Sequence, residues 1–589
     1  MIARKNIDHI ALIVIAAAVL FCVVLMLLAP RFAEKSGGGV RMEYEEKLFD
    51  TSSPLRVEIE IDEDDWASML ASPMSNTYYS CDVTLAGKTF REVGIKPKGS
   101  TSLAFLAGSD SDRYSLKLEF DHFIGDQTCF GLDKLALNNN YGDPSNMREA
   151  LAYDMFAFLG ADASLYNFAE IYINGEYWGA FTALEFVEDS YLLRHFGTEQ
   201  GGQLYKPELN GGGGANLNYS DDSLDSYNAI WAAAKTEGAT DADHRRVVTA
   251  LQHISEGTEL ETYLDVDNVL RYMAVHNFVV NDDSLSGGMT HNYFLYERDG
   301  QLNILPWDYN LTFGTMMGSS KNATTIVNTT IDDHWRGTSF FNALLDNEEY
   351  RARYHEYYRQ LTEAYIFGGG FAAFYENACA VTEPLVKNDP TALFTFDEYL
   401  AARDTLRRLV LLRGASVWKQ LEGDIPATTA GRGGSVSGEF PWASQEVTED
   451  TDEVPEFTLV DASDVDMSVM GGVGGGFGGG PFGGGGPFSR RSEVSGEASG
   501  EASAEASDAA SSEASDAASD KASDAASTET SEASSGEASR EFSPPDFSGE
   551  FPSGEMRRGL DAKTIRTQVT WSLVLLAGIA FAAWFKRRL

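Results

Sequence analysis

Cysteine is scarce in this chain: four residues in 589. Cys22 falls in an apolar run, leaving Cys81, Cys129 and Cys379, which permit at most one internal disulfide and argue against a disulfide-stapled fold or a thiolate metal site. Basic residues are also in short supply, 45 Lys and Arg against 89 Asp and Glu, for a formal charge of −44. That balance counts against nucleic acid as a partner, because a phosphate backbone is held by clustered cations; it fits affinity for cations. The nine histidines show no HExxH or comparable spacing, so zinc is not indicated. Ser284 and Ser286 have no His at a motif spacing, which argues against a serine hydrolase. The GxGxxG matches near the C-terminus sit inside a glycine tract and lack the strand and helix that a phosphate loop needs.

What is present is unevenly distributed. Two apolar runs lie near the ends, residues 10–29 and 569–585. The first is long enough to cross a bilayer and the second is near the lower limit. Arg4 and Lys5 before the first, with Lys586, Arg587 and Arg588 after the second, predict transmembrane helices with both tips inside the cell membrane and the main domain extracytoplasmic. Residues 1–9 are then a cytoplasmic tip; a cleaved signal peptide is the alternative for the first run. Apolar and aromatic residues thin out after about Trp442. Residues 426–560 read as a disordered linker, glycine-rich at 471–488 and then rich in Ser, Ala and Glu, with too little apolar surface to offset chain entropy.

The folding mass lies at about 45–425 and reads as an α+β domain. "LRVEIEID", "YYSCDVTLAGKTF", "REVGIKPKG" and "RYSLKLEFD" alternate like strands, predicting a mainly antiparallel sheet up to Asp121. "DPSNMREALAYDMFAFLG" places Met147, Leu151, Met155 and Leu159 at helical spacing. "FAEIYING" and "EYWGAFTALEFV" form a hairpin about Asn174-Gly175. Residues 223–280 and 345–422 are helical, and between them a second hairpin turns at Asp299-Gly300.

That second hairpin ends in "NILPWDYNLTFG", where Asp308 follows an apolar strand. A helix cap, a turn residue bonding its own backbone, and a metal ligand all compete for a lone Asp in that position. The surroundings favour the ligand. "VVNDDSLSGG" puts Asp282 and Asp283 in a loop, "HNYFLY" puts Asn292 at the start of the hairpin, and a hairpin brings its two ends together. Two acids and an amide make an oxygen site suited to Mg²⁺ or Mn²⁺.

The same segments, with "KPKGSTS" and "LALNNNYGDPSNMREALAYDMFAFLG", occur in the order of the CotH-type spore-coat protein kinase family, which this sequence resembles over about 45–420. The resemblance implies an atypical two-lobed protein-kinase-like fold, with an N-lobe at about 45–190 and a C-lobe at about 191–425. It implies transfer of the γ-phosphoryl of ATP to Ser or Thr of a protein substrate, with Mg²⁺ or Mn²⁺. By that likeness Lys117 would hold nucleotide phosphate, Lys98 and Ser100 would form a phosphate-facing loop, Asp283 would be the catalytic acid, and Asn292 and Asp308 would bind metal. Two positions depart from the pattern: Asn310 stands where a second Asp is frequent, and Asp282 where an aromatic is, which leaves Asp282 as the alternative to Asp283 for the catalytic acid. Glu149 is a candidate partner of Lys117, although an acid in a first helical turn already has a structural reason.

Serines of the tail, including Ser495, Ser499 and Ser503, precede acids by one or two residues, which suggests that the tail is itself a substrate. The competing reading of the tail is a charged spacer. The competing reading of the whole protein is a non-catalytic surface adhesion or envelope scaffold that keeps the fold.

Overall fold

The computed structural model describes residues 39–197, 201–207, 214–316 apart from Ala233 and Glu237, 322–434 and 456–472. Seven strands, β1 (Leu55–Ile61), β2 (Tyr79–Leu85), β3 (Lys88–Lys98), β4 (Ser115–Glu119), β5 (Lys134–Asn138), β6 (Tyr166–Ile173) and β7 (Glu176–Glu185), close into a barrel in the order β1-β2-β3-β4-β5-β7-β6. All neighbours are antiparallel except the closing pair, in which β1 runs parallel to β6 with Leu55 opposite Ala169 and Ile59 opposite Ile173.

Successive side chains of a strand point to opposite faces, and here both faces are used. Val57, Ile59, Val83, Ile95, Leu116, Leu118, Leu135, Leu137, Ile171, Phe181 and Ala183 fill the interior. Their alternates Ala136, Phe168, Ala180 and Leu184 join a second core, shared with the helices Arg148–Leu159, Val266–Phe278 and Phe396–Glu422. Lys96, Lys98, Lys117 and Asn138 alternate with Ile95, Leu116, Leu118 and Leu137, so they too project from the outer face of β3 to β5.

A smaller sheet, β8 (Gln203–Tyr205), β9 (Tyr293–Arg298) and β10 (Gln301–Pro306), lies in the order β10-β9-β8. The β9–β10 hairpin turns at Asp299-Gly300, both with positive φ, and ends with Tyr293 opposite Pro306.

Three expectations are corrected. The strands up to Asp121 do not form a sheet of their own: the parallel pairing of β1 with β6, over a hundred residues apart, closes them with β5 to β7 into a barrel. Nor do the described residues separate into two lobes, because the outer face of the barrel and the helices bury one continuous core. Flanking transmembrane helices are not found: among the described residues no helix is long and apolar enough to cross a membrane, and the runs 10–29 and 569–585 lie outside those residues.

The stretch read as linker also contributes structure. Residues 456–472 form a strap along the helical side. Val460 N–H donates to Asn328 Oδ1 (3.1 Å), Asn328 Nδ2 donates to the Val460 carbonyl (2.8 Å), and Ala462 N–H donates to Thr324 Oγ1 (3.2 Å). Arg408 pairs with Asp464 at 2.6 Å, and Ala462 and Met470 are fully buried.

The barrel is joined to the helices by a buried ion pair. Arg113 Nη1 lies 2.8 Å from Asp389 Oδ2, with side-chain exposures of 3% and 2%. Asp389 also accepts from the backbone N–H of Ala180 (2.8 Å) and of Thr391 (2.9 Å). Removing one partner of such a pair leaves a buried charge uncompensated. Asp389→Ala should therefore destabilise the protein by about 3–5 kcal/mol, as read by denaturant unfolding; a loss below about 1 kcal/mol would show that the pair holds little.

Candidate functional site

One cavity of about 660 Å³ lies between the outer face of β3 to β5, the helix Arg148–Leu159 and the open end of the β9–β10 hairpin. Lys98, Ser100, Lys117, Asp283, Asn292 and Asp308 all line it, as do Glu149, Lys96, Lys206, Trp307 and Asn310. Asp283, and not Asp282, is among the lining residues.

The hairpin accounts for the placement of Asn292 and Asp308. Asn292 directly precedes β9, Asp308 lies just beyond β10, and both take the left-handed conformation (φ 58° and 65°). Asn and Asp tolerate that region better than other non-glycine residues, and single residues held there concentrate at functional sites. Asn292 Nδ2 donates to the Asp283 carbonyl (2.9 Å) and to Asp283 Oδ2 (3.0 Å). The Asp283 backbone N–H donates to Asn281 Oδ1 (3.1 Å), and Ser284 Oγ donates to the Asn292 carbonyl (3.3 Å). The loop and the hairpin end are thus one hydrogen-bonded unit.

Burial pushes the Asp283 carboxyl well above the usual range, and the charge of Asp308 adds to the shift. Two acids that repel one another in a shielded place are relieved by a cation. The amide nitrogen of Asn292 is engaged by Asp283, so the atom of that side chain that could serve a cation is its oxygen. Among the described residues no three His, Cys, Asp or Glu side chains gather as a metal cage. The donor set is two carboxylates and an amide, which fits a hard cation that keeps water or phosphate oxygens in its remaining positions, as Mg²⁺ does.

The lysines separate. Lys117 Nζ sits 2.9 Å from Glu119 Oε2 and 5.0 Å from the Phe186 ring centre. Lys98 Nζ donates to Asn138 Oδ1 (2.5 Å), whose Nδ2 donates to Glu149 Oε2 (2.8 Å). Burial lowers the proton affinity of Lys98, while Asp308 and Glu149 act to restore it. Burial raises Glu149, and Asp308 raises it further. Lys98 is therefore the lysine in the field of Asp308, and Glu149 belongs to its network rather than to Lys117. Sequence reasoning named Glu149 only as a candidate partner of Lys117; its position in "NMREA" carried the signal but gave no way to choose between the two lysines. Ser100 lies with Gly99 on the rim, at the turn leading into the helix Thr101–Ala107.

Two buried side chains fix the walls. Asp143 accepts from the N–H groups of Ser145 (3.0 Å), Met147 (3.1 Å) and Arg148 (2.9 Å), so the "DPSN" turn starts the helix that carries Glu149. Arg148, fully buried, pairs with Asp143 at 3.1 Å and donates to the Thr312 carbonyl (3.3 Å), holding the segment after Asp308 against that helix. On the other side His276 bridges Tyr309 Oη and Ser286 Oγ at 2.8 Å each, tying the residue after Asp308 to the loop of Asp283.

A sequence model of the CotH kinase protein family matches residues 95–417. Among curated proteins, the inner spore coat protein H of Bacillus subtilis (strain 168) is 27% identical over 242 residues, 39% of this chain and 63% of that protein. Invasin CotH7 of Rhizopus delemar is 25% identical over 249 residues, and invasin CotH2 of the same organism 24% over 248. These matches cover 40% of this chain and 40% of CotH7, and 39% of this chain and 42% of CotH2. The chain thus spans less than two thirds of the length of the curated relatives it matches.

His276 gives the site a pH limit. Burial lowers its imidazole from the ordinary 6.5 to about 3. The folded state binds the proton more weakly than the unfolded state, so the stabilisation is complete above about pH 6.5 and declines as the pH falls toward 3. At about 1.4 kcal/mol per pH unit, going from pH 7 to 5 should cost about 2 kcal/mol. Urea unfolding of His276→Gln should lack that part of the slope; an identical slope would contradict it.

Proposed function

Given that the chain belongs to the CotH kinase protein family, we propose that it is an ATP-dependent protein serine/threonine kinase. Its substrates would be coat or envelope proteins outside the cytoplasm, its own Ser- and acid-rich tail among them. The name of the Bacillus relative supports the coat location. The observation that carries the reading is the meeting of Lys98, Asp283, Asn292 and Asp308 around one cavity, a donor set for a metal and a phosphate side by side.

A bound Mg²⁺ or Mn²⁺ would neutralise charge developing on the transferred phosphoryl group. Asp308 and Asn292 are the residues suited to hold it. Lys98, kept in place by Asn138 and Glu149, binds phosphate oxygen as a point charge; Lys206, near the same Trp307 ring, is positioned to assist. Asp283, oriented by Asn292, accepts hydrogen bonding from an acceptor hydroxyl and takes its proton as the new bond to phosphorus forms. Its raised proton affinity suits a base. Lys117 then has a lesser role than the family likeness alone implies, because Glu119 already engages its charge.

A second reading, a surface adhesion protein without turnover, is favoured by the invasin names of the Rhizopus relatives. Labelled ATP with Mn²⁺ separates the two. Asp308→Asn, which tolerates the same backbone conformation, should lower label transfer at least about 100-fold. Lys98→Met should do the same, and Lys117→Met should cost less than about tenfold. Transfer untouched by Asp308→Asn would overturn the assignment, and absence of both transfer and metal-dependent nucleotide binding would favour the adhesion reading.

A further inference from the structure

The turn that starts the helix Arg148–Leu159 also touches the segment that leaves Asp308. Asn310 Nδ2 donates to the Tyr141 carbonyl (2.7 Å). The Gly142 carbonyl accepts from Arg148 Nη2, and Arg148 donates in turn to the Thr312 carbonyl (3.3 Å). A Cβ added to Gly142 would stand 2.9 Å from Leu311 Cδ2. The turn thus meets residues 310, 311 and 312 in succession, and Tyr141, Asn310 and Leu311 line the cavity. The strap packs against this same turn. A Cβ added to Gly471 would stand 2.5 Å from Pro144 Cδ and 2.7 Å from the Gly142 carbonyl oxygen. Gly142 and Gly471 both have positive φ, so a side chain at either would be strained as well as crowded. Upstream, the strap is anchored by the bonds to Asn328 and Thr324, the Arg408–Asp464 pair and the buried Met470. Its turn Met467–Met470 packs on the helix Phe396–Glu422. All of it lies beyond residue 417, the last matched by the family.

We propose that residues 456–472 are a positioning element for the cation site: the strap, seated on the turn at 142–144, holds residues 308–312 in the conformation that presents the Asp308 carboxylate to the cavity. This rests on the reading of Asp308 and Asn292 as cation ligands. Asp308 takes a left-handed conformation (φ 65°), which costs energy and persists only where the surroundings over-determine it. The restraint is applied at residues 310–312, by a turn that is itself held between the strap and the Arg148–Asp143 pair (3.1 Å). Groups that orient a metal ligand without touching the metal are worth about 10–100-fold in metal affinity. The domain matched by the family is then incomplete in this chain without a segment from beyond its boundary, and the strap belongs functionally to the site.

The test uses the full chain with Mn²⁺ alone as the probe. Met470→Asp, which puts a charge into the buried anchor, should weaken Mn²⁺ binding, followed by electron paramagnetic resonance, at least about tenfold. Gly471→Ala leaves the anchor intact and crowds the turn; it should shift the affinity in the same direction, and it decides the matter if Met470→Asp fails to fold. Met470→Leu, which keeps the volume, should stay within about twofold. In the metal-free protein, hydrogen exchange read by mass spectrometry should rise at residues 308–315 in Met470→Asp and Gly471→Ala, with cooperative urea unfolding retained. Mn²⁺ affinity and exchange at 308–315 that both stay unchanged in these two variants would overturn the proposal and leave the cation reading standing. Exchange that rises within the strap alone would do the same. No Mn²⁺ binding by the unaltered chain would overturn the cation reading and the proposal together.

Discussion

The site depends on like charges held in place: Asp283 and Asp308 face the same shielded cavity, and beyond the effect of burial the charge of Asp308 opposes ionisation of both Asp283 and Glu149. A fold does not keep such an arrangement for stability, since burying charge costs several kcal/mol per ion unless it is paired. The chain restrains the two acids from separate elements. Asn292 and Asn281 bond to Asp283, while the hairpin end and the Arg148–Thr312 contact fix the segment of Asp308. Lys98 lies in the same field with its own partner network through Asn138 to Glu149. Acids and a lysine from separate elements thus line one cavity.

The barrel supplies the rigid wall. Because its strands alternate between the interior and the helix-facing core, Lys96 and Lys98 of β3 and Lys117 of β4 point outward together. Lys96 and Lys117 lie directly opposite one another across those strands, a pairing of like charges that is unfavourable on its own. Glu119 offsets it on the Lys117 side. The wall is joined to the helices by Arg113–Asp389 and by the common core, so the barrel and helices form one body around the cavity.

The hairpin end was legible in the sequence. Asp299-Gly300 fixes the turn, the apolar run fixes the strand, and geometry then brings Asn292 to Asp308. The helix after "DPSN" was legible for the same kind of reason, a local cap followed by helical spacing. Closure of the sheet was not, since the parallel pairing of β1 with β6 joins strands distant in the chain and leaves no local mark. The surroundings of Lys98 were not legible either, because only folding shows that it meets Asn138 and, through it, Glu149; the pairing of Lys117 with Glu119, two residues on along the same strand, is local. The strap was hidden by its setting. Val460, Ala462, Val465, Met467 and Met470 are all buried, but they stand in a short segment amid linker-like composition, where propensity gives no warning of docking.

The central claim is that Asp308 and Asn292 hold a divalent cation while Lys98 meets the phosphate. Anomalous diffraction from crystals grown with Mn²⁺ and a non-hydrolysable ATP analogue tests it most directly. The account predicts a single Mn²⁺ peak within coordination distance of Asp308 and Asn292 oxygens, with analogue phosphate against Lys98. A nucleotide bound with its phosphates on Lys117 and no metal at Asp308 would contradict it.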